Sequence, residues 1–305
     1  MKPMQLRAMH PSETSQVAAL IHLSTNGWYQ RAGKGVIFQG GPETCLLFPE
    51  VYEDLDPGCC VVAVDESTGQ IIGSCFYHPR ETHVSLGIMN VHPDHFGRGI
   101  ASALLKFITD FADQQSQPVR LVSSAMNLDS FSLYNRAGFV PRAIFQDILI
   151  SVPEAGLPPS PDVRPATLGD VPAMVELEFQ LCGIRRQKDF RYFIENRRGI
   201  WNASVLPNPQ GGINGFLCSV HHPASNMLGP GVMRTDAGAI GLIRAQLNCH
   251  KGRTLVFLIP SDRPILTQAV YALGGRNCEL HFAQVRGAYT PTTGIIMPTF
   301  MPETA

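Results

Sequence analysis

The sequence predicts an α/β protein made of two tandem domains. Three observations carry that expectation. Strand and helix patterns alternate along the first 152 residues. Four prolines then fall within Pro153–Pro161, and the order of elements recurs after them. A chain of 305 residues, 44% of them apolar, has room for two cores of ordinary size.

The proline run cannot continue a helix or a central strand. It reads as an extended linker, 153–161, between 1–152 and 162–305. In the first part, Gln5–Met9 is a short strand. Ser12 is a candidate N-cap for a helix through Gln30, with Val17, Leu20, Ile21 and Leu23 as its apolar stripe. Residues 31–57, rich in Gly, Pro and Phe, read as a long functional loop. Cys59–Asp65 and Ile71–His78 flank a turn at Glu66–Gln70 and predict a hairpin. His83–Val91 is a third strand. Ile100–Gln114 is a helix whose Leu104, Leu105, Ile108, Phe111 and Ala112 share a face. Val119–Ala125 is a strand and Ser130–Ala137 a short helix ended by Gly138, which tolerates positive φ. Ala143–Val152 is the last strand.

The second part repeats this order. Arg7, Val17 and Leu20 correspond to Arg164, Met174 and Leu177 at one constant spacing, and Leu133, Tyr134 and Gly138 to Val270, Tyr271 and Gly275 at another. The shorter second spacing fits loss of the 31–57 segment.

Composition narrows the function. Charged residues are 16% and the formal net charge is -1, so no nucleic-acid footprint is expected. The short basic cluster Arg197-Arg198 reads as a solvated helix end. Met1–Gln5 has no apolar h-region, and no run of roughly 18 apolar residues occurs. A cytoplasmic protein with no membrane partner is the expectation. The eight cysteines lack C-x-x-C spacing. Reduced thiols and no metal site are therefore expected. Cys59 and Cys60, adjacent in a strand, would face opposite ways.

The segment Val91–Leu105 runs strand, glycine-rich turn, amphipathic helix. Such a turn aims successive backbone N–H groups at one point, and the helix N-terminus adds partial positive charge, so a pyrophosphate is its natural guest. Gly97 and Gly99 permit close approach and unusual φ; Arg98 adds a cation. The Gly-Lys-Ser/Thr ending of a P-loop is absent, and Ser102 breaks a G-x-G-x-x-G turn.

Phe96-Gly97-Arg98-Gly99-Ile100-Ala101 instead resembles motif A of the GCN5-related N-acetyltransferases (GNAT), Gln/Arg-x-x-Gly-x-Gly/Ala. Phe96 departs from the usual Gln or Arg. Asn127-x-x-Ser130-x-x-Leu133-Tyr134-x-x-x-Gly138-Phe139 resembles motif B at the right distance. The resemblance covers about residues 5–150. It implies, in each half, a mixed, mostly antiparallel sheet flanked by helices. It also implies transfer of the acetyl group of acetyl-CoA to a primary amine.

In the family, the strand before motif A splays from the strand before motif B, and the pantetheine arm enters between them by β-augmentation. Carried over, Met89 and Val91 offer main-chain contacts and Asn127 and Ser130 lie beside the arm. Phe96, Gly97, Arg98, Gly99, Ile100 and Ala101 surround the pyrophosphate. Tyr134 takes the place of the acid that protonates the departing thiolate. The backbone N–H of Met89 or Val91 is the economical donor to the thioester oxygen. Glu81 and His83, alternating to one strand face, are candidates for the base. His92 and His95 flank the turn as exposed loop residues. Trp28, Tyr29, Phe38, Phe48 and Tyr52 are candidates for an aromatic acceptor wall. Glu50, Glu53, Asp54 and Asp56 would either attract a cationic amine or form a solvated face.

The second part lacks a good motif A. Its nearest match is Gly238-Ala-Ile-Gly241, and Pro264 stands where Asn127 would be. It reads as a degenerate copy. A small-molecule amine or peptide is the expected acceptor, and association into a homodimer stays open. The alternative to an enzyme is a pseudoenzyme or sensor that holds acetyl-CoA without turnover; transfer of a longer acyl group is a third reading.

Overall fold

The computed structural model describes residues 4–304. In chain order the first half comprises β1 (Met4–Ala8), α1 (Thr14–Arg31), α2 (Leu47–Leu55), β2 (Cys60–Asp65), β3 (Ile71–Pro79), β4 (Val84–Val91), α3 (Ile100–Gln114), β5 (Val119–Ser124), α4 (Leu128–Arg136) and β6 (Val140–Ser151). The second comprises β7 (Arg164–Pro165), α5 (Val171–Cys182), α6 (Gln187–Glu195), β8 (Trp201–Pro207), β9 (Ile213–His222), β10 (Ser225–Met233), α7 (Asp236–Asn248), β11 (Thr254–Pro260), α8 (Pro264–Ala272) and β12 (Arg276–Arg286). Three short strands, β13 (Ile295–Met297), β14 (Thr299–Phe300) and β15 (Glu303–Thr304), close the chain.

The expected mixed sheet is present, but the halves share it. Its order is β1-β2-β3-β4-β5-β12-β6-β11-β10-β9-β8-β7. Each half lends its sixth strand to the other: β12 pairs with β5 and β6 with β11, all antiparallel, and β6 and β12 pair with each other. The two parallel contacts are β4 with β5 and β10 with β11. Exchanged strands cover the edges that each half would otherwise leave open. The 1–152 and 162–305 units are therefore not self-contained.

Alternation along the strands sends residues to two faces. One face carries α1 and α2 with Val62, Phe76, Phe145 and Val205 in its core. The other carries α3 over Val61, Cys75, Leu86 and Leu121 in the first half, and α7 over Leu217, Leu228 and Phe257 in the second. Cys60 and Cys59 do face opposite ways, one toward each core. All eight thiols are free, and five are buried.

The internal repeat extends to single ion pairs. Arg7 Nη1 donates to Glu13 at 2.7 Å, and Arg164 Nη1 to Asp170 at 2.8 Å, each tying a first strand to the turn before its helix.

Four expectations need correction. Ser12 is not the cap: His10 caps a short 3-10 turn with Glu13 completing a capping box, and α1 starts at Thr14. The 31–57 segment is not loop throughout, because Leu47, Phe48, Val51, Tyr52 and Leu55 bury the inner face of α2. Residues 153–161 are docked rather than free, with Leu157 N donating to Asn248 Oδ1 at 2.7 Å. Arg198 is not a solvated end, since it binds Glu50 at 2.7 Å and Asp54 at 2.8 Å.

Candidate active site

The site begins with a fork. β4 and β5 are paired only at Val84–Val119 and Ser85–Arg120, then part. At the fork β4 bulges: Leu86 faces Tyr77 and Met89 faces Cys75, leaving Gly87 and Ile88 against one residue of β3. A bulge re-aims backbone groups. Gly87 is needed there because an added Cβ would stand 2.8 Å from His78 Nε2 and 2.9 Å from Phe76 O. Beyond the bulge, Met89 and Val91 send side chains toward the α3 core. β5 has turned away from their backbone, and the C-terminal strand β15 lies close to both β4 and β5.

Past the fork, β4 runs through a 3-10 turn at Pro93–His95 into α3. Gly97 and Gly99 take φ of 75° and 78°, values that side chains resist. Nothing lies within 4 Å of a Cβ placed on Gly97, so the turn faces open space. Gly99 caps α3 without a side-chain bond, so the first-turn amides of α3 are not taken by a cap. The amides of the first turn and the helix dipole face this space, a setting that suits an anion. Phe96 is 48% exposed beneath the Arg31 guanidinium, 5.2 Å away. His92 accepts from Asp94 N and packs edge-on to His95, so both shape the turn itself.

Tyr134 is buried in the same core as Leu86 and Leu121, its ring 5.7 Å from Phe139. It therefore stands on the α3–α4 side of the fork. Asn127 is the N-cap of α4: its Oδ1 accepts from Ser130 N at 3.0 Å. That oxygen is committed to the helix, and Ser130 serves as its donor.

Glu81 and His83 both precede the bulge of β4. Glu81 accepts from Gln187 N at 3.1 Å and so caps α6 of the second half. His83 is fully buried, and burial, then the charges of Arg120, Arg186 and Arg80, hold it well below its ordinary value. It lies four residues before the bulge, about 13 Å along an extended strand.

Two histidine–aspartate pairs that the sequence reading missed occupy the α1–α2 face. His78 Nδ1 meets Asp56 Oδ2 at 2.8 Å. Asp56 also accepts from Arg80 at 2.9 Å and from Lys188, and Arg80 donates on to Asp189 at 2.9 Å, across the two halves. Burial raises the Asp56 carboxyl, but hydrogen bonds and charges from His78 and Arg80 outweigh it and hold it well below the usual range. His78 Nε2 lies beside the bulge, 2.8 Å from where a Cβ on Gly87 would stand. The second pair is His281 with Asp147, 2.9 Å apart, where β12 meets β6. The signal available was an ionisable residue inside an apolar strand: His78 ends the run from Ile71, and Arg120 interrupts Val119–Val122.

The acidic residues of α2 are spent on structure. Glu50 and Asp54 hold Arg198, Glu53 accepts from Gly58 N, and Asp56 is the buried hub just described. Phe38, Phe48, Tyr52 and Phe76 form one buried ring-to-ring chain that ends on His78. Tyr29 reaches the second half through Glu279 at 3.1 Å.

The equivalent fork in the second half is filled. β10 bulges at Gly229, matching Gly87, and meets β11 only at Met227–Val256. There β13 pairs with Gly231, Val232 and Met233, the positions matching Met89, Asn90 and Val91. Gly238–Gly241 is not a turn but lies inside α7, and Thr235 takes the Gly238 N–H at 3.1 Å. Pro264 begins α8.

A parting of β4 from β5, a bulge and a glycine turn on one mixed sheet define a fold built to present an acyl-CoA for acyl transfer. Acetyltransferase (GNAT) domain models match residues 56–141 and 174–290. The chain is a tandem protein of the GNAT family. Among solved structures it is similar to the GCN5-related N-acetyltransferase from Sphaerobacter thermophilus, with TM-score 0.65, 17% identity, and coverage of 96% of this chain and 100% of that one. It is also similar to a tandem GNAT protein from the clavulanic acid biosynthesis pathway (TM-score 0.60, 16% identity, 94% and 98% coverage). N-myristoyltransferase from Saccharomyces cerevisiae aligns with TM-score 0.64 and 12% identity over 96% of this chain and 80% of that one. A curated relative, UPF0157 protein YqkA of Bacillus subtilis (strain 168), is 34% identical over 71 residues, 23% of this chain and 20% of that protein. The match thus spans a fifth of that relative's length. Among the described residues no helix is long and apolar enough to cross a membrane.

Proposed function

We propose that the first half is an acetyl-CoA-dependent N-acetyltransferase acting on a primary amine, and that the second half completes its acceptor face without binding acyl-CoA. The observation that carries this is the contrast between turns: Gly97 and Gly99 lead into α3 with no side-chain cap, whereas Gly238–Gly241 lies inside α7 and Thr235 caps that helix. Met89 and Val91 backbone would hold the pantetheine arm, and the Gly97–Ala101 turn its pyrophosphate. The bulge supplies N–H donors for the thioester oxygen as charge builds on it. Tyr134, on the α3–α4 side, protonates the departing sulfur. His78, oriented by Asp56 on the opposite face, accepts the amine's proton through Nε2, directly or by one water. The protein works in the cytoplasm on this reading.

A thiol-release assay with acetyl-CoA over a library of amines tests the proposal. Release that depends on one amine class supports it. Calorimetric binding of acetyl-CoA with no release from any amine would favour a sensor, and faster release from longer acyl-CoAs would replace the acetyl assignment.

A further inference from the structure

A base must touch the amine it deprotonates. His78 is 1% exposed and His281 6% exposed, so neither meets an acceptor until something over them moves.

The element beside both is the hairpin β14–β15. Phe300 stands between the two histidine–aspartate pairs. Its ring lies 4.9 Å from the His281 ring. Its carbonyl accepts from Tyr52 Oη at 3.1 Å, and the Tyr52 ring packs 4.8 Å from that of His78. From there β15 lies close to both β4 and β5. Ile88 of β4, Val122 of β5 and Phe300 are all half-buried against the core of the α1–α2 face. The hairpin therefore sits where the two strands part, on the side where an amine would arrive.

Its hold on the molecule is slight. Thr299 faces Thr304 and Phe300 faces Glu303, and among the described residues neither strand joins the main sheet. So small a hairpin is marginal by itself. Packing holds it: Met301 at the turn is fully buried, and Phe300 N donates to the Met227 sulfur at 3.4 Å, a weak acceptor. The preceding strand β13 is instead laced to β10 at Gly231, Val232 and Met233. One stretch of chain thus fills the second half's gap with a ladder and covers the first half's fork by packing.

We propose that β14–β15 is a self-inhibiting gate: it closes the acceptor side of the fork over His78 and swings out to admit the amine. The assignment rests on the acyl-transfer reading of that fork. A closed gate keeps water from a bound thioester. It also lowers apparent acceptor affinity by the fraction of molecules that are open.

The test uses the full chain. In the parent protein the Met301 N–H, buried and bonded to Thr299 Oγ1 at 3.3 Å, should exchange with solvent by local opening, about tenfold or more faster than the amides of β13. Phe300→Ala and Met301→Ala each loosen the seat. In both, diethyl pyrocarbonate should label His78 and His281 about tenfold faster than in the parent. His250, 2% exposed and bonded to Ser219 in the second half, should keep the parent's rate. Hydrolysis of acetyl-CoA, with water as the probe nucleophile, should rise by about tenfold as well. Water adds to the thioester carbon, the C–S bond breaks, and acetate, the coenzyme A thiol and a proton result. If His250 also labels faster, the variant has loosened generally, and exchange at Met301 in the parent decides. Met301 exchanging no faster than β13 overturns the gate. So does unchanged labelling of His78 and His281 in both variants. Hydrolysis that falls while their labelling rises overturns it too, since the hairpin would then be a fixed wall of the acceptor site. Failure of the parent to bind acetyl-CoA in calorimetry would instead strike the acyl-transfer reading, with opening of the hairpin still measured by exchange and labelling.

Discussion

Tyr134 and His78 stand on opposite faces of one sheet, and the fork is where those faces communicate. Their proposed roles separate experimentally. Tyr134→Phe keeps the buried ring against Phe139 and removes only the hydroxyl. Acetyl-CoA affinity should hold while kcat falls by about 100-fold, the usual yield of one acid–base group. Full kcat in this variant at every pH would remove Tyr134 from the mechanism. His78→Gln keeps a donor toward Asp56 but loses the basic nitrogen. Its kcat/KM should fall by a similar ~100-fold; an unchanged kcat/KM would assign the base to another residue, His281 being next. The two roles were unequally visible in the sequence. Tyr134 sits inside a motif and could be read there. His78 acquires meaning only through Asp56, twenty-two residues away. His83 is fully buried beside the charges of Arg120, Arg186 and Arg80, a setting that no local pattern announces.

At the scale of elements, short-range chemistry was read well. The β2–β3 hairpin, α3 and the Gly138 stop follow from alternation, helical periodicity and a glycine at φ 88°. Helix α2 escaped because glycines flank it and Pro49 sits in its first turn, although Leu47, Val51 and Leu55 recur at helical spacing. The plug strand β13 is three residues long and carries no signal apart from its apolarity. Its consequence is a stoichiometry. Calorimetry should find one acetyl-CoA per chain, because β13 already satisfies the main-chain groups that an arm would use in the second half. Gly97→Ala should weaken that single site. It forces a side chain to φ 75°, costing about 1–2 kcal/mol in the turn, and sets a methyl where phosphate must approach. A titration that saturates at two per chain would contradict the plug.

For the whole molecule, the interface between halves is charged, buried and acid-sensitive. Asp56 gathers His78, Arg80 and Lys188, and Arg80 passes the connection to Asp189. The folded carboxyl lies below its ordinary value near 3.8. The unfolded chain therefore takes up the proton first as pH falls. Asp56 contributes fully above about pH 4 to 5 and progressively less below it. Asp56→Asn should flatten the stability–pH curve in that range and, at pH 7, cost about 3–5 kcal/mol because buried cations lose their partner. Equilibrium denaturation of both proteins from pH 3 to 7 measures both effects.

The strand exchange makes a stronger demand. It was invisible in the sequence, because β6 and β12 alternate in the same way whichever half supplies their partner. Yet without β12 the first half exposes one edge of β5 and both edges of β6, and without β6 the second half exposes β11. Unpaired edges of apolar strands associate. Residues 1–152 expressed alone should therefore aggregate or dimerise by exchanging β6, and should show little acetyl-CoA binding as a monomer. Co-expression with residues 153–305 should restore a soluble one-to-one complex with the parent's binding. Chromatography with light scattering reads the outcome. A stable, monomeric, acetyl-CoA-binding 1–152 fragment would mean that β6 can fold back beside β5, and that the shared sheet is dispensable to the site.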